Sequence, residues 1–406
     1  MDVTLTNASL ADGTSVDVEI TDGFISAVND AATTSSRGER HDLRGWLLMP
    51  SMGEPHAHLD KALTADLVPN PAGDLRGAID SWIENSHRIT PDETHVRARA
   101  ALDRLIAHGV TAVRSHVNCG EFTGTTSMKI LAEIRDEYAD LVDLELVALS
   151  SNPMLGRDGE GNRRSLIAAV EAGADLVGGC PALEDDDGPG VINLAIDIAS
   201  DAGLRIDLHV DETLDASTLT LRDLAHIVQD RGFEHSVTAS HCVSLGMQAL
   251  ETQHEVSRQV AAAGINVVAL PQTNLFLQGH QSPTAMPRGL TAVGALLAAG
   301  ANVTAGADNV QDPFNLVGRS DPLETAALMV MAGHVQPDDA FAMVSSAVRS
   351  TLGHDPVSVS VGDAADLVAI DAPSVREAIA DAPMSRRVYR RGRLISSSDV
   401  ASTIHR

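Results

Sequence analysis

The chain has 406 residues, 44% of them apolar and 21% charged, with a formal net charge of −27, the balance of a globular protein that builds two domains or one barrel with an accessory module. It offers no basic footprint to nucleic-acid phosphates and no apolar run near the ~20 residues that span a bilayer, so neither nucleic acid nor membrane is an expected partner. The start, MDVTLTNASLADGTSVDVEI, shows no charged-then-apolar leader and points to the cytoplasm, and three dispersed cysteines, Cys119, Cys180 and Cys242, make neither a disulfide framework nor a thiolate zinc site.

Residues 1–46 read as short alternating strands around turns at Asp12-Gly13 and Asp22-Gly23, where glycine permits the positive φ of a tight hairpin. The same texture returns at Ala365–Ile370 and Arg387–Ile395, so residues 1–47 and 355–406 are expected to pair into one small β-sandwich module. Between them, residues 48–354 alternate short apolar runs with helical patterns. The strand candidates are Leu47–Pro55, Thr111–Asn118, Leu144–Ser151, Leu176–Pro181, Arg205–Glu212, Ser236–Cys242, Asn266–Asn274 and Asn302–Asp308. Segments such as Glu93–His108, Arg164–Ala172 and Gly289–Ala299 carry apolar residues at three- and four-residue spacing. This rhythm predicts an α/β fold, a (β/α)8 TIM barrel.

In such a barrel the chemistry sits at the C-terminal ends of the strands. The first ends Glu54-Pro55-His56-Ala57-His58, and residues two apart on a strand face one side, so His56 and His58 can reach one ion. The fifth closes on His209 and Glu212, the sixth on His241 and the eighth on Asp308. Taken singly, each is as readily a core histidine or a helix cap. Taken together, histidines from strands 1, 5 and 6 and an aspartate from strand 8 predict a metal site.

The constellation resembles the amidohydrolase superfamily, and within it the cytosine deaminase-like branch. The resemblance rests on Glu54–Asp60, Gly109–Val117, His209–Glu212, Val237–His241, Asn274–Gly279 and Asp308–Pro313. It implies His56, His58, His209 and Asp308 as ligands of one divalent ion, Zn2+ or Fe2+, with Glu212 as proton shuttle and His241 as partner of the metal-bound hydroxide. A bound ion lowers the pKa of water from about 15.7 to about 7, and Asp308 can ligate and also take the water proton. Strand 4, Leu176–Pro181, lacks the lysine that bridges two ions in other members, which favours a single ion. Lys61 reads as an ordinary salt-bridge partner and His116 as a strand-end histidine near the site.

Where cytosine deaminases carry a glutamine at the end of strand 3, this chain has Ser151. Asn309 replaces a second aspartate, Phe314 a tryptophan, and Leu75 occupies a position that packs over the base. With Gln278, these form the expected substrate-contacting set. A mismatched buried hydrogen-bonding group costs about 1–3 kcal/mol, so two such changes are enough to move the substrate. The expectation is therefore a hydrolytic deaminase of a cytosine-like nitrogen heterocycle, an oxopyrimidine or aminotriazine, with possible self-association as a family trait. Release of an alkylamine, or opening of a cyclic amide or imide, is the alternative chemistry. A non-catalytic binding homologue is the alternative class, and it has no need for all six polar groups.

Overall fold

The computed structural model describes residues 2–31, 38–184 and 187–405. Its first strands are β1 (Val3–Ser9), β2 (Ser15–Thr21), β3 (Phe24–Asp30), β4 (Glu39–Asp42) and β5 (Leu47–Pro50). Eight strands follow, β6 (Met52–Ala57), β7 (Val110–Cys119), β8 (Asp143–Ser150), β9 (Leu176–Gly178), β10 (Arg205–Val210), β11 (Val237–His241), β12 (Asn266–Ala269) and β13 (Val303–Ala305). The chain ends on β14 (Leu367–Ile370), β15 (Arg386–Arg390) and β16 (Arg393–Ser398).

The two chain ends share one sheet, ordered β16-β15-β14-β5-β1-β2-β3 with β4 beside β1. Its register is set by tight turns. Asp22 and Gly23 are both left-handed, at φ 51° and 85°, the pair of angles that a two-residue hairpin matched to strand twist needs. Leu5, Val18, Ile20, Leu48, Leu367 and Tyr389 form the core of this module. Leu48–Met49 pair with Val368–Ala369, so the terminal sheet runs past residue 47 as far as Pro50. The expected strand Leu47–Pro55 is therefore two strands in two sheets. Ser51 marks the break, its N–H donating to Asp366 O while the next residue, Met52, donates to Gly109 O in the barrel.

Strands β6 to β13 are parallel neighbours in chain order, with helices between them, as the alternating pattern predicts. Buried on both faces, they are rich in Val, Ala and Leu. Helix Pro91–Ala107 shows how the outer layer is specified. Thr90 and Glu93 form a reciprocal capping box, Pro91 sits where no N–H is needed, and Ala98, Ala101, Leu102, Leu105 and Ile106 make one buried stripe.

Closure of the barrel builds the site. Asp308 N donates to His56 O at 3.1 Å, and a parallel bridge joins Ala57 to Asp308. One step earlier the ladder is replaced by a side chain: Ala307 N donates to both carboxylate oxygens of Glu54, at 3.0 and 3.2 Å. Gly306 leaves room for that carboxylate, since a Cβ there would come within 2.3 Å of Glu54 Oε1. Gly306→Ala is expected to lower unfolding free energy by about 1–3 kcal/mol through overpacking, read as a shifted urea midpoint; an unchanged midpoint would show that the seam gives way freely.

Other strands end earlier than the apolar runs indicate, Leu176–Pro181 at Gly178 and Arg205–Glu212 at Val210 among them. The run Asn266–Asn274 leaves the sheet after Ala269 because Pro271 cannot donate to the ladder and instead begins helix Pro271–Leu277. The run Asn302–Asp308 stops at Ala305, where the Gly306–Asp308 segment turns inward. His116, expected at a strand end, lies within β7 with three strand residues beyond it.

Candidate metal centre and active site

At the C-terminal mouth of the barrel, His56, His58, His209, His241 and Asp308 come together, all buried. Nε2 of His209 lies 3.2 Å from Nε2 of His56 and 3.3 Å from Nε2 of His58. Asp308 Oδ1 lies 3.2 Å from His58 Nε2 and 3.6 Å from His56 Nε2. Ligand atoms about 2.0–2.1 Å from one ion at tetrahedral angles stand roughly 3.3–3.4 Å apart, and these four contacts fall near that spacing, with the three imidazoles forming one metal-sized group. Electrostatics agree. Burial, and then the neighbouring histidines, hold His56 and His209 well below the usual imidazole range, which leaves their lone pairs free. Burial, then Glu212 and Asp312, push Asp308 well above the usual carboxylate range, and its Oδ1 has no hydrogen-bond partner. A cation at the point of convergence would satisfy both.

Backbone strain aims two of these groups. His241 and Asp308 have φ of 71° and 66°, left-handed values that non-glycine residues adopt only where the surroundings impose them. Asp211, also left-handed at φ 51°, accepts hydrogen bonds from Thr220 and Leu221 at the start of helix Thr220–Arg231, which turns the chain so that Glu212 follows at the mouth.

Glu212 is largely buried, and burial pushes its carboxyl up to about 8, against the opposing effects of Lys61 and Asn274. Asn274 Nδ2 donates to Glu212 Oε1 at 3.3 Å and lies 3.2 Å from His241 Nδ1. An amide nitrogen only donates, so His241 Nδ1 accepts and its Nε2 carries the proton. That Nε2 is buried without a hydrogen-bond partner among the described residues, 3.9 Å from Asp308 Oδ2. Asn274 thus joins Glu212 and His241, a role that reading its segment as a strand hides; Pro271 within that run is the signal against a strand.

The expected substrate-contacting residues divide. Gln278 is buried and neither amide atom has a partner among the described residues, and Phe314 lies with its ring 5.4 Å from Lys61 Nζ. Ser151 donates to Cys119 O at 3.4 Å, and Asn309 Nδ2 donates to Asp312 Oδ2 at 2.7 Å, so both direct hydrogen bonds into the protein. Leu75 stands half-buried at the start of helix Leu75–Asn85. Lys61 departs from its expected salt bridge. Among the described residues its buried Nζ meets Asn118 Oδ1 and His58 Nδ1, each at 2.9 Å, rather than a carboxylate.

Beneath the cluster, the barrel interior is charged. Asp207 is fully buried, accepts from Arg114 Nη1 at 2.8 Å and from Ser240 Oγ at 3.0 Å, and lies 3.6 Å from His116 Nε2. Burial raises its carboxyl, but His116 and Arg114 outweigh that and hold it below the usual range. His116 stacks on His56 with ring centroids 3.8 Å apart.

A profile of the amidohydrolase family matches residues 83–404. The chain is 32% identical over 388 residues to a pterin deaminase of Rhizobium rhizogenes (strain K84), spanning 94% of this chain and 88% of that protein. It is 25% identical to an N-isopropylammelide isopropyl amidohydrolase of Pseudomonas sp. (strain ADP), spanning 98% of each. Among solved structures, 5-methylcytosine deaminase from Klebsiella pneumoniae liganded with 5-fluorocytosine superposes with a TM-score of 0.90, at 29% identity, over 99% of both chains.

Proposed function

The chain belongs to the amidohydrolase family, and on that premise we propose that it is a metal-dependent hydrolase that removes ammonia from an amino-oxopyrimidine ring, free or fused. The observation that carries the reading is the convergence of the His56, His58 and His209 imidazoles, with Asp308 Oδ1 3.2 Å from His58 Nε2, beside the buried carboxyl of Glu212. His56, His58, His209 and Asp308 would hold the ion, His58 only with Lys61 turned from its Nδ1, because an ammonium donating there leaves the proton on Nε2; three nitrogens with one oxygen suit zinc or ferrous iron. When bound, the ion supplies a water acidified for attack on a ring carbon.

The chain's own groups supply the rest. The net change is ring C–NH2 plus water giving ring C=O plus ammonia, so a proton must reach the ring nitrogen and another the departing amine. Glu212, protonated at neutral pH by its burial, is placed to give the first, and as carboxylate to take up and pass on the second. His241 presents Nε2–H toward the developing negative charge, held in that tautomer by Asn274. Gln278 offers a free buried donor and acceptor to the ring edge, consistent with a ring that carries neighbouring oxo and amino groups.

The relatives support this substrate class: one is named for pterin and one structure for 5-methylcytosine, both rings that join an amino to an oxo group. The test is ammonia release by metal-loaded protein from cytosine, isocytosine, pterin and aminotriazines. Release from at least one ring is expected. If metal is bound and no ring yields ammonia, the reading is wrong, and product masses would then separate alkylamine release from ring opening.

A further inference from the structure

The tautomer of His56 is fixed from below. Its Nδ1 lies 2.8 Å from Ser240 Oγ, and Ser240 Oγ in turn lies 3.0 Å from Asp207 Oδ1. Asp207 is anchored on its other oxygen by Arg114 Nη1, which also donates to Thr238 Oγ1 at 3.0 Å. Arg114 continues the chain through Nε and Nη2 to Glu145 Oε2, and Arg205 Nη2 donates to Glu145 Oε1 at 2.8 Å. An ion ladder therefore runs from Arg205, beside Leu352 O, up the barrel axis to the first histidine of the cluster.

Counting protons along this ladder leaves one arrangement. A carboxylate paired with a guanidinium only accepts, and Ser240 has a single hydroxyl hydrogen. Were that hydrogen turned toward His56, the buried oxygens of Ser240 and Asp207 would face each other at 3.0 Å with no proton between them, an uncompensated repulsion in a site without water access. The hydroxyl therefore donates to Asp207, and Ser240 Oγ accepts from Nδ1–H of His56. A neutral imidazole protonated at Nδ1 has its lone pair on Nε2, and that atom faces His209 Nε2 and Asp308 Oδ1.

We infer that Ser240, oriented by Asp207 and Arg114, is a positioning residue that holds His56 in its metal-ligating tautomer. Ser240 adjoins His241 in the chain, but among the described residues its hydroxyl bonds to His56 and Asp207 rather than to the convergence point or Glu212; it acts through His56. The inference rests on the metal site proposed above and extends it to residues outside the ligand set. Partners in this position typically change metal affinity by about 10–100-fold when removed.

The experiment is zinc affinity by chelator competition for the full chain as wild type, Ser240→Ala and Ser240→Thr, with melting temperatures of the metal-free proteins as a check of folding. In Ser240→Ala the Kd for zinc is expected to rise about 10–100-fold, while Ser240→Thr, which keeps the hydroxyl, stays near wild type. An unchanged Kd in Ser240→Ala overturns the positioning role while leaving the metal site standing, and an equal loss in both variants overturns it as well, since the hydroxyl is then not what matters. A wild-type chain that takes up no zinc and no ferrous iron overturns the site itself and the inference with it.

Discussion

Glu212→Gln is expected to lower ammonia release by about 10²–10⁴-fold while the ion stays bound, the range in which a positioned general acid or base acts. The substitution keeps the shape of the side chain and an oxygen able to accept from Asn274 Nδ2, as Glu212 Oε1 does at 3.3 Å. It removes the proton that burial retains on the carboxyl, whose pKa is pushed up to about 8. Nothing in the convergence of His56, His58, His209 and Asp308 depends on that proton. The loss should therefore fall on kcat, with metal content per chain unchanged and KM moved little. Turnover within tenfold of wild type at full metal occupancy would remove Glu212 from the mechanism. A parallel loss of metal would instead make it part of the ion's cradle.

The proposed separation of proton transfer from ion binding is legible in the sequence only in part. His56, His58, His209, His241 and Asp308 stand out because polar residues interrupt apolar strands at one end of a barrel. Their convergence follows from strand order, which the alternation of strand and helix supplies. The layer below is written in the same two-residue spacing. Glu54 and His56, Arg114 and His116, Asp207 and His209, Thr238 and Ser240 are all pairs two apart, so each lower residue points inward with its upper partner. An arginine at the centre of a buried strand, Val110–Cys119, needs buried carboxylates, and Asp207 with Glu145 at 2.8 and 2.9 Å are those carboxylates.

Other features were beyond the sequence for physical reasons. The left-handed backbone of His241 and Asp308 is only weakly announced by the tolerance of His and Asp for positive φ, which is too small a preference to fix single positions. Ser151 and Asn309 are polar residues at positions where a substrate edge is expected, yet each meets a nearer protein partner, Cys119 O and Asp312 Oδ2. Which of two partners a short polar side chain takes depends on tenths of an ångström, and spacing along the chain carries no such resolution. Lys61 misleads in the same way. Asp60 precedes it, but Asp60 Oδ2 accepts from Asn118 N, and Lys61 turns toward the Asn118 side chain and His58.

His209→Ala should do what Glu212→Gln does not, and empty the site. His209 Nε2 is the atom common to both short nitrogen contacts, 3.2 Å from His56 and 3.3 Å from His58, so its removal takes away one donor and the centre of the arrangement. The three groups left are fewer than the four that a tetrahedral site uses, and water entering the gap is a weaker, unheld ligand. Ammonia release is then expected to fall below detection, because without the ion no water is acidified for attack. Stability supplies an independent readout. An ion that binds only the folded chain stabilises it by about 4 kcal/mol at a thousand times its Kd, so the wild-type melting temperature should climb as zinc is added to metal-free protein. The His209→Ala melting temperature should stay flat over the same zinc range. Because the folded chain holds His56 and His209 well below the ordinary imidazole range, protons compete with the ion for them only at lower pH, and the wild-type increment should persist as pH falls through about 6.5. A His209→Ala protein that still gains stability from zinc to the wild-type extent would place the ion elsewhere, and His56, His116 and Asp207, whose ligand atoms also lie within 4.8 Å of one another, are the position to examine next.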